Sequence, residues 1–140
     1  MGTAEEVEAW RRLAASVDAW AAAHVVSDVA ERHLEVAPAR DGATSFWIDV
    51  HDGQIVVGVG AVPGWSFPTD EAGLSAALDV IAAIRQGRVW LASERTGLWA
   101  KVVVGDGSEL IDHRERMLGA LVGASRRGPK TWVRGLPYEG

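Results

Sequence analysis

Residues able to do acid–base or metal chemistry fall on two short stretches of this sequence. Asp49 and His51 are two residues apart, and Glu31, His33 and Glu35 have the same spacing. Side chains with this spacing share one face of a β-strand, so carboxylates and imidazoles would lie together. Such a set can bind a divalent metal ion or act in general acid–base catalysis. A solvated strand face gives the same alternation, and we prefer that interpretation. We expect no catalytic residue, no metal site and no cofactor.

The glycine-containing stretch VGVGAVPGWSF, residues 57–67, is a second candidate for chemistry, because its glycine spacing resembles a dinucleotide-binding loop. In that loop the turn opens directly into a helix whose N-terminal amides hold the pyrophosphate. Here Pro63 and Pro68 intervene. We therefore predict the end of a strand, in which Gly58 and Gly60 lie opposite a bulky tryptophan face.

Other catalytic signatures are missing from the sequence. There is no cysteine, which excludes disulfides, thiolate metal ligands and cysteine nucleophiles. No serine lies in a G-x-S-x-G motif, and His113 beside Asp112 has no third partner of defined spacing.

Composition and charge limit the classes of protein to which this chain can belong. The 140 residues are 48% hydrophobic and 24% charged, as in a globular domain. The N-terminus has no signal-peptide pattern and no apolar run reaches membrane-spanning length, so we expect a cytoplasmic protein that contacts no membrane. The net charge of −5 argues against nucleic-acid binding. Residues 112–140 hold six Lys/Arg against three Asp/Glu, a charge of +3, which leaves −8 on residues 1–111.

The first predicted element is a helix. Thr3 and Glu6 form a capping-box pattern, and apolar residues at helical spacing then predict a helix to about Ala30. The apolar stripe comprises Val7, Trp10, Leu13, Ala14, Val17, Trp20, Ala21 and His24. Residues 33–37 predict a short strand.

The strongest local signal is a hairpin in residues 45–60. Asp52-Gly53 lies between two alternating runs and favours the type I′ turn of a two-residue hairpin. This turn sets His51 opposite Gln54 and thereby fixes the register. The predicted core face consists of Phe46, Ile48, Val50, Ile55, Val57 and Val59, and the other face of Trp47, Asp49, His51, Val56 and Gly58.

The second half predicts a helix, a hairpin and two further segments. After a loop at residues 63–68, Thr69 or Asp70 caps a helix that ends at Gly87. Residues 88–107 predict a second hairpin, residues 108–122 suit either a helix or a strand, and residues 131–138 are apolar. The order α-β-β-β-α-β-β-(α or β)-β predicts one α+β domain over residues 1–140. Its helices pack on an antiparallel or mixed sheet, and the second helix could form a βαβ crossover.

Seven tryptophans are an unusual number for this length. If both hairpins share one sheet, its second face gathers Trp47, Trp90 and Trp99 with Asp49, His51 and Lys101. Either the C-terminal segment covers that face, or it is an exposed aromatic patch typical of a protein-binding hot spot. Trp65, in the loop between Pro63 and Pro68, is predicted to be a singly exposed anchor.

Two stretches resemble a known class of proteins. Residues 71–97, EAGLSAALDVIAAIRQGRVWLASERTG, and residues 126–140, RRGPKTWVRGLPYEG, are similar to small immunity proteins encoded beside bacterial polymorphic toxins. Twelve Arg against two Lys agrees with a high-GC genome. The element order also resembles type III secretion chaperone-like (YbjN-type) domains.

Both resemblances imply a protein that binds another protein and catalyses nothing. The immunity resemblance implies a toxin domain as the partner, and the acidic body predicts a basic surface on it. The residues expected to bind the partner are Trp65, Trp47, Trp99, Asp49 and His51. Two alternatives stay open: a chaperone-like binder of a secreted client, and a small metal-dependent or ligand-binding enzyme that uses the face of Asp49 and His51. The sequence does not define the oligomeric state.

Overall fold

The computed structural model of the chain describes residues 3–21, 25–28, 31–38, 40–94, 97–115 and 131–138. These ranges contain two helices and nine strands. The elements are α1 (Ala4–Ala21), β1 (Val25–Asp28), β2 (His33–Val36), β3 (Phe46–His51), β4 (Gln54–Val59), β5 (Trp65–Pro68), α2 (Glu71–Arg85), β6 (Val89–Glu94), β7 (Gly97–Val103), β8 (Glu109–Glu115) and β9 (Val133–Arg134). The predicted α+β class is confirmed.

The strands form two sheets, each with antiparallel strand pairs. The first sheet has the order β1-β2-β3-β4-β5 and the second has the order β8-β7-β6-β9. The expectation that both hairpins share one sheet is therefore wrong. Since α2 leaves the first sheet at β5 and enters the second at β6, it makes no βαβ crossover within one sheet. Only an isolated bridge between Ala43 and Leu136 is parallel among the described residues.

The first helix begins as predicted but ends earlier. The Thr3 hydroxyl accepts a hydrogen bond from the Glu6 N–H at 3.1 Å, which is half of a capping box. The helix ends at Ala21, not near Ala30, because Val25–Asp28 pairs with β2 as an antiparallel strand. Two consecutive β-branched residues, Val25 and Val26, favour this extended backbone. The predicted stripe residue His24 lies outside the described residues.

The predicted hairpin is confirmed with its register. Asp52 and Gly53 have φ values of 52° and 73°, as a type I′ turn requires at both central positions. His51 lies opposite Gln54, and Phe46 lies opposite Val59 at the far end. All six residues of the predicted core face are buried.

The segment after this hairpin is a strand, where a loop was expected. Trp65–Pro68 pairs with β4, and Pro68 is tolerated because β5 is an edge strand and the proline is its last residue. Asp70 then caps α2 as predicted, since its carboxylate accepts a hydrogen bond from the Gly73 N–H at 2.8 Å. The second predicted hairpin is β6 and β7.

Of the ambiguous residues 108–122, the first part is a strand. Glu109–Glu115 pairs with β7 along its whole length, while residues 116–122 lie outside the described part of the chain. One apolar core joins the elements, because α1 packs on β3 and α2 packs on β4, β5 and β7.

The C-terminal segment, residues 131–138, connects the two sheets. Val133 pairs with Leu91 at the edge of the second sheet. Further along, the Leu136 N–H donates to the Gly42 carbonyl at 2.8 Å, and the Tyr138 hydroxyl donates to the Thr44 carbonyl at 2.5 Å. The ring of Tyr138 packs edge-on against Trp20 and Phe46, and burial raises its pKa.

Candidate functional site

The outer face of the five-stranded sheet is the side away from the helices. Cross-strand pairing defines it as Asp28, His33, Glu35, Trp47, Asp49, His51, Gln54, Val56, Gly58, Ser66 and Pro68. Antiparallel sheets commonly leave one face in solvent, and most of these side chains are half-buried or exposed. The face contains three carboxylates and, among its described residues, no Lys or Arg. It is an acidic surface on a rigid sheet.

His33 lies between two of these carboxylates. Its Nδ1 is 2.5 Å from an oxygen of Asp49, its neighbour across β2 and β3, and its Nε2 is 3.2 Å from an oxygen of Glu35. Partial burial lowers the pKa of His33, but the hydrogen bonds and charges of Asp49 and Glu35 outweigh this effect and raise the pKa above its ordinary value. Asp49 and Glu35 therefore favour the protonated form of the imidazole.

Trp47 lies flat over β4 in the middle of the outer face. A Cβ at Gly58 would fall 2.2 Å from the Trp47 ring, so only glycine leaves room for the indole there. The indole N–H donates to the Gly60 carbonyl at 3.3 Å. Residues 57–67 therefore comprise the end of strand β4, as the sequence predicts, and then most of the edge strand β5. The next helix starts only at Glu71.

His51 and Asp49 share the outer face as expected, but they do not form a pair. His51 is exposed and its Nδ1 is 3.3 Å from Asp52, the next residue along the chain. Asp49 contacts His33 instead. Among the described residues, no group of three or more His, Asp or Glu side chains has the geometry to hold a metal ion.

Trp90 and Trp99 lie on the second sheet and do not join Trp47. The Lys101 ammonium lies 5.2 Å from the Trp90 ring centroid and 4.8 Å from that of Trp132. Trp99 is only 3% exposed, because it packs with Ala92 against Trp132 of the C-terminal segment. Of the two alternatives left open for this face, coverage by the C-terminal segment is the one observed at Trp99.

Trp65 is not an exposed loop residue. It is half-buried in β5, opposite Val57, and its ring packs against the core. The predicted loop position of Trp65 is therefore wrong, because Trp65 is the first residue of an edge strand that ends at Pro68, and only Pro63 lies before that strand. Its role in partner binding stays a prediction.

Sequence reasoning placed His33 and Glu35 on a polar strand face but did not bring them to Asp49. The contact depends on the register between β2 and β3, which are joined by a long connection of residues 37–45. No short turn fixes that register in the sequence. The matching alternation of the two polar stretches is the signal that pairs them.

The fold and this geometry define a class of structure: an α+β protein in which two helices pack on two antiparallel sheets. Comparison of the chain with protein-family models, with curated proteins and with solved structures finds no match. Within the described ranges, neither helix combines the length and apolarity needed to cross a membrane.

Proposed function

We propose that this protein is a non-catalytic module whose outer face binds a basic surface of a protein partner. The observation that carries the proposal is the charge of that face. Asp28, Glu35 and Asp49 contribute carboxylates, His33 contacts the last two, and the described residues of this face include no Lys or Arg. Complementary charge speeds association and aligns the partners.

An aromatic residue at the centre of the acidic face supplies the apolar contact that charge alone lacks. Trp47 is half-buried, and its contacts with Gly58 and Gly60 hold the ring in place before any partner arrives. A ring that is already fixed loses little conformational entropy on binding, and tryptophan is enriched among the residues that dominate interface energies.

The resemblance to immunity proteins supplies the partner class. We infer a toxin domain that this protein neutralises by covering part of its surface. A secreted client of chaperone type would use the same acidic face.

The contact between His33 and Asp49 supports the alternative that this protein is a small enzyme. A carboxylate that orients an imidazole is a general-base arrangement. Here Nε2 of the imidazole faces Glu35, and the nearest hydroxyl on the same row of cross-strand partners, Ser66, lies three strands away and donates to Gln54 at 2.9 Å. Binding of less than one metal equivalent by protein purified without chelator would agree with the non-catalytic proposal, and a full equivalent bound through His51 or His33 would overturn it.

The direct test is co-purification with the product of the neighbouring gene, followed by affinity measurements over a range of salt concentrations. Glu35→Gln and Asp49→Asn should each weaken binding about fivefold or more and reduce the salt dependence. Glu8→Gln is the matched control, because Glu8 is an exposed carboxylate on α1, away from the outer face. Equal affinities for all three variants, or no complex with that product or any captured protein, would refute the proposal.

The contribution of Trp47 to partner binding is tested with a second pair of variants. Trp47→Ala should weaken binding by about 2 kcal/mol, whereas Trp90→Ala should not, because the Trp90 ring lies on the second sheet between Lys101 and Arg134. Denaturant titration of each variant shows whether the fold is retained. Trp65→Ala is the corresponding test of the predicted anchor at residue 65.

A further inference from the structure

Two depressions meet at Gly60, immediately after β4, where the two sheets approach each other. The first, of about 320 Å³, adjoins the outer face and includes Glu35, Ser45 and Trp47 in its lining. The second, of about 270 Å³, lies between the sheets, and Gly60 is the residue common to both. The two depressions are therefore neighbours, one beside the acidic face and one between the sheets.

The second depression, here the inter-sheet pocket, is almost entirely apolar. Its walls include Val62, Leu91, Leu98, Trp99 and Val133. Val133 is 67% exposed at this pocket, although it is a large apolar residue of a strand. An apolar concavity with an exposed apolar wall gains free energy when an apolar group displaces its water.

The charge of the lining residues indicates which kind of ligand these depressions can accept. Among the described residues, Glu35 is the charged residue in the lining of the first depression, and the lining of the second contains none. An anionic group in the first depression would meet this carboxylate, whereas a Lys or Arg placed there would be attracted to it. At about 270 Å³ the pocket is at the lower end of the roughly 300–1,000 Å³ of ordinary small-molecule sites, and this size suits a single large side chain.

We propose that the inter-sheet pocket receives one large apolar side chain of the protein partner, next to a basic residue that pairs with Glu35. This inference rests on the proposed function and adds a recognition element to it: an apolar residue close in sequence to Lys or Arg. The side chain fills the pocket between Leu91 and Trp99, while the basic residue lies in the depression beside Trp47.

The capacity of the pocket can be tested without the partner. Indole is titrated into the labelled protein, and amide chemical shifts are followed by NMR. We expect saturable shifts centred on Val62, Leu91 and Trp99, and we expect Ala61→Trp to abolish them, because Ala61 is exposed at the pocket and a bulky ring there fills it. Absence of saturable shifts, or shifts that Ala61→Trp leaves unchanged, would overturn the inference whatever the partner.

The use of the pocket is tested in the complex. Val133→Asp places a carboxylate at the apolar wall and should weaken partner binding about tenfold or more. Val7→Asp is the matched control, since Val7 is 51% exposed on α1. Both positions are open to solvent, so both variants should fold.

The outcomes separate this inference from the proposed function. A complex that loses affinity with Glu35→Gln but not with Val133→Asp keeps the acidic face as the interface and refutes the role of the pocket. Loss of affinity with Val133→Asp and not with Val7→Asp supports the pocket. If indole binds but no protein partner is found, the proposed function fails and the inference fails with it.

Discussion

Glu6 of α1 is buried and joins the helix to the first hairpin, and its removal should destabilise the protein well beyond the effect of an exposed glutamate. Its carboxylate accepts hydrogen bonds from the Gly53 N–H at 2.6 Å and from the Arg32 guanidinium at 3.1 Å. Glu6 is 5% exposed, so water does not replace these bonds freely. Both partners hold left-handed backbone, with φ values of 73° at Gly53 and 50° at Arg32.

The expected magnitude follows from what Glu6→Ala leaves behind. The Gly53 N–H loses its acceptor, and because Gly53 is an exposed turn residue that water can reach, the cost is about 1 kcal/mol. The Arg32 side chain is 21% exposed and can partly rehydrate, so its loss adds no more than about 1 kcal/mol. Alanine has a higher helix propensity than glutamate, and this offsets a few tenths of a kcal/mol of the lost stability. We expect the free energy of unfolding to fall by about 1–2 kcal/mol.

The assay is urea denaturation followed by tryptophan fluorescence and circular dichroism. Glu6→Gln should be intermediate, because its amide oxygen can still accept from Gly53 but carries no charge for Arg32. Glu8→Ala on the same helix is the control, since Glu8 is exposed and bonds only Arg11 one turn away among the described contacts. If Glu6→Ala shifts the midpoint no more than Glu8→Ala, the carboxylate does not clamp the hairpin and the reasoning is refuted.

Three further predictions concern the first sheet. The raised pKa of His33 means that its protonation stabilises the fold fully below its unfolded value of about 6.5 and that this contribution is lost as pH rises through the folded pKa. Asp49→Asn should therefore lower the pKa of His33, measured by NMR titration, and should destabilise the fold more at about pH 5.5 than at about pH 8.5; equal effects at both would contradict this. Ile48→Ala should cost about 2–4 kcal/mol in denaturant titration, and a change below about 0.5 kcal/mol would mean that Ile48 is not central to the core. Gly58→Ala should destabilise by about 1–3 kcal/mol because its methyl group meets the Trp47 ring; Trp47→Ala in the same chain should restore much of the loss, and additive effects would argue against this contact.

The parts of the fold that short-range patterns specify could be predicted from the sequence. Asp52-Gly53 determines a two-residue turn, and that turn determines every pair from His51–Gln54 to Phe46–Val59. The same holds for the Asp70 cap of α2, which depends on a hydrogen bond only three residues away. In both cases the residues that decide the geometry are neighbours in the chain.

The remaining features depend on contacts between distant residues. Val25–Asp28 follows directly on a helical stripe, and its pairing with β2 adds to the strand preference of its two valines. Similarly, nothing near Trp90 or Trp99 shows that their hairpin belongs to a second sheet. For the candidate site, the alternation placed Asp49 on the exposed face, but its contact with His33 required a register across residues 37–45 that the sequence does not encode in a turn.

The position of the C-terminal segment has a consequence for folding kinetics. The contacts of Arg40 with Pro137 and of Thr44 with Tyr138 span 97 and 94 residues. Closing loops of this length costs chain entropy before the contacts form, and folds rich in such contacts fold in milliseconds to seconds rather than microseconds. We therefore expect the hairpins and helices to form first and residues 131–138 to dock last. A chain in which this segment has not docked leaves the rings of Trp20 and Phe46 without the Tyr138 ring that packs on them, and we expect such a chain to aggregate more readily than the folded one.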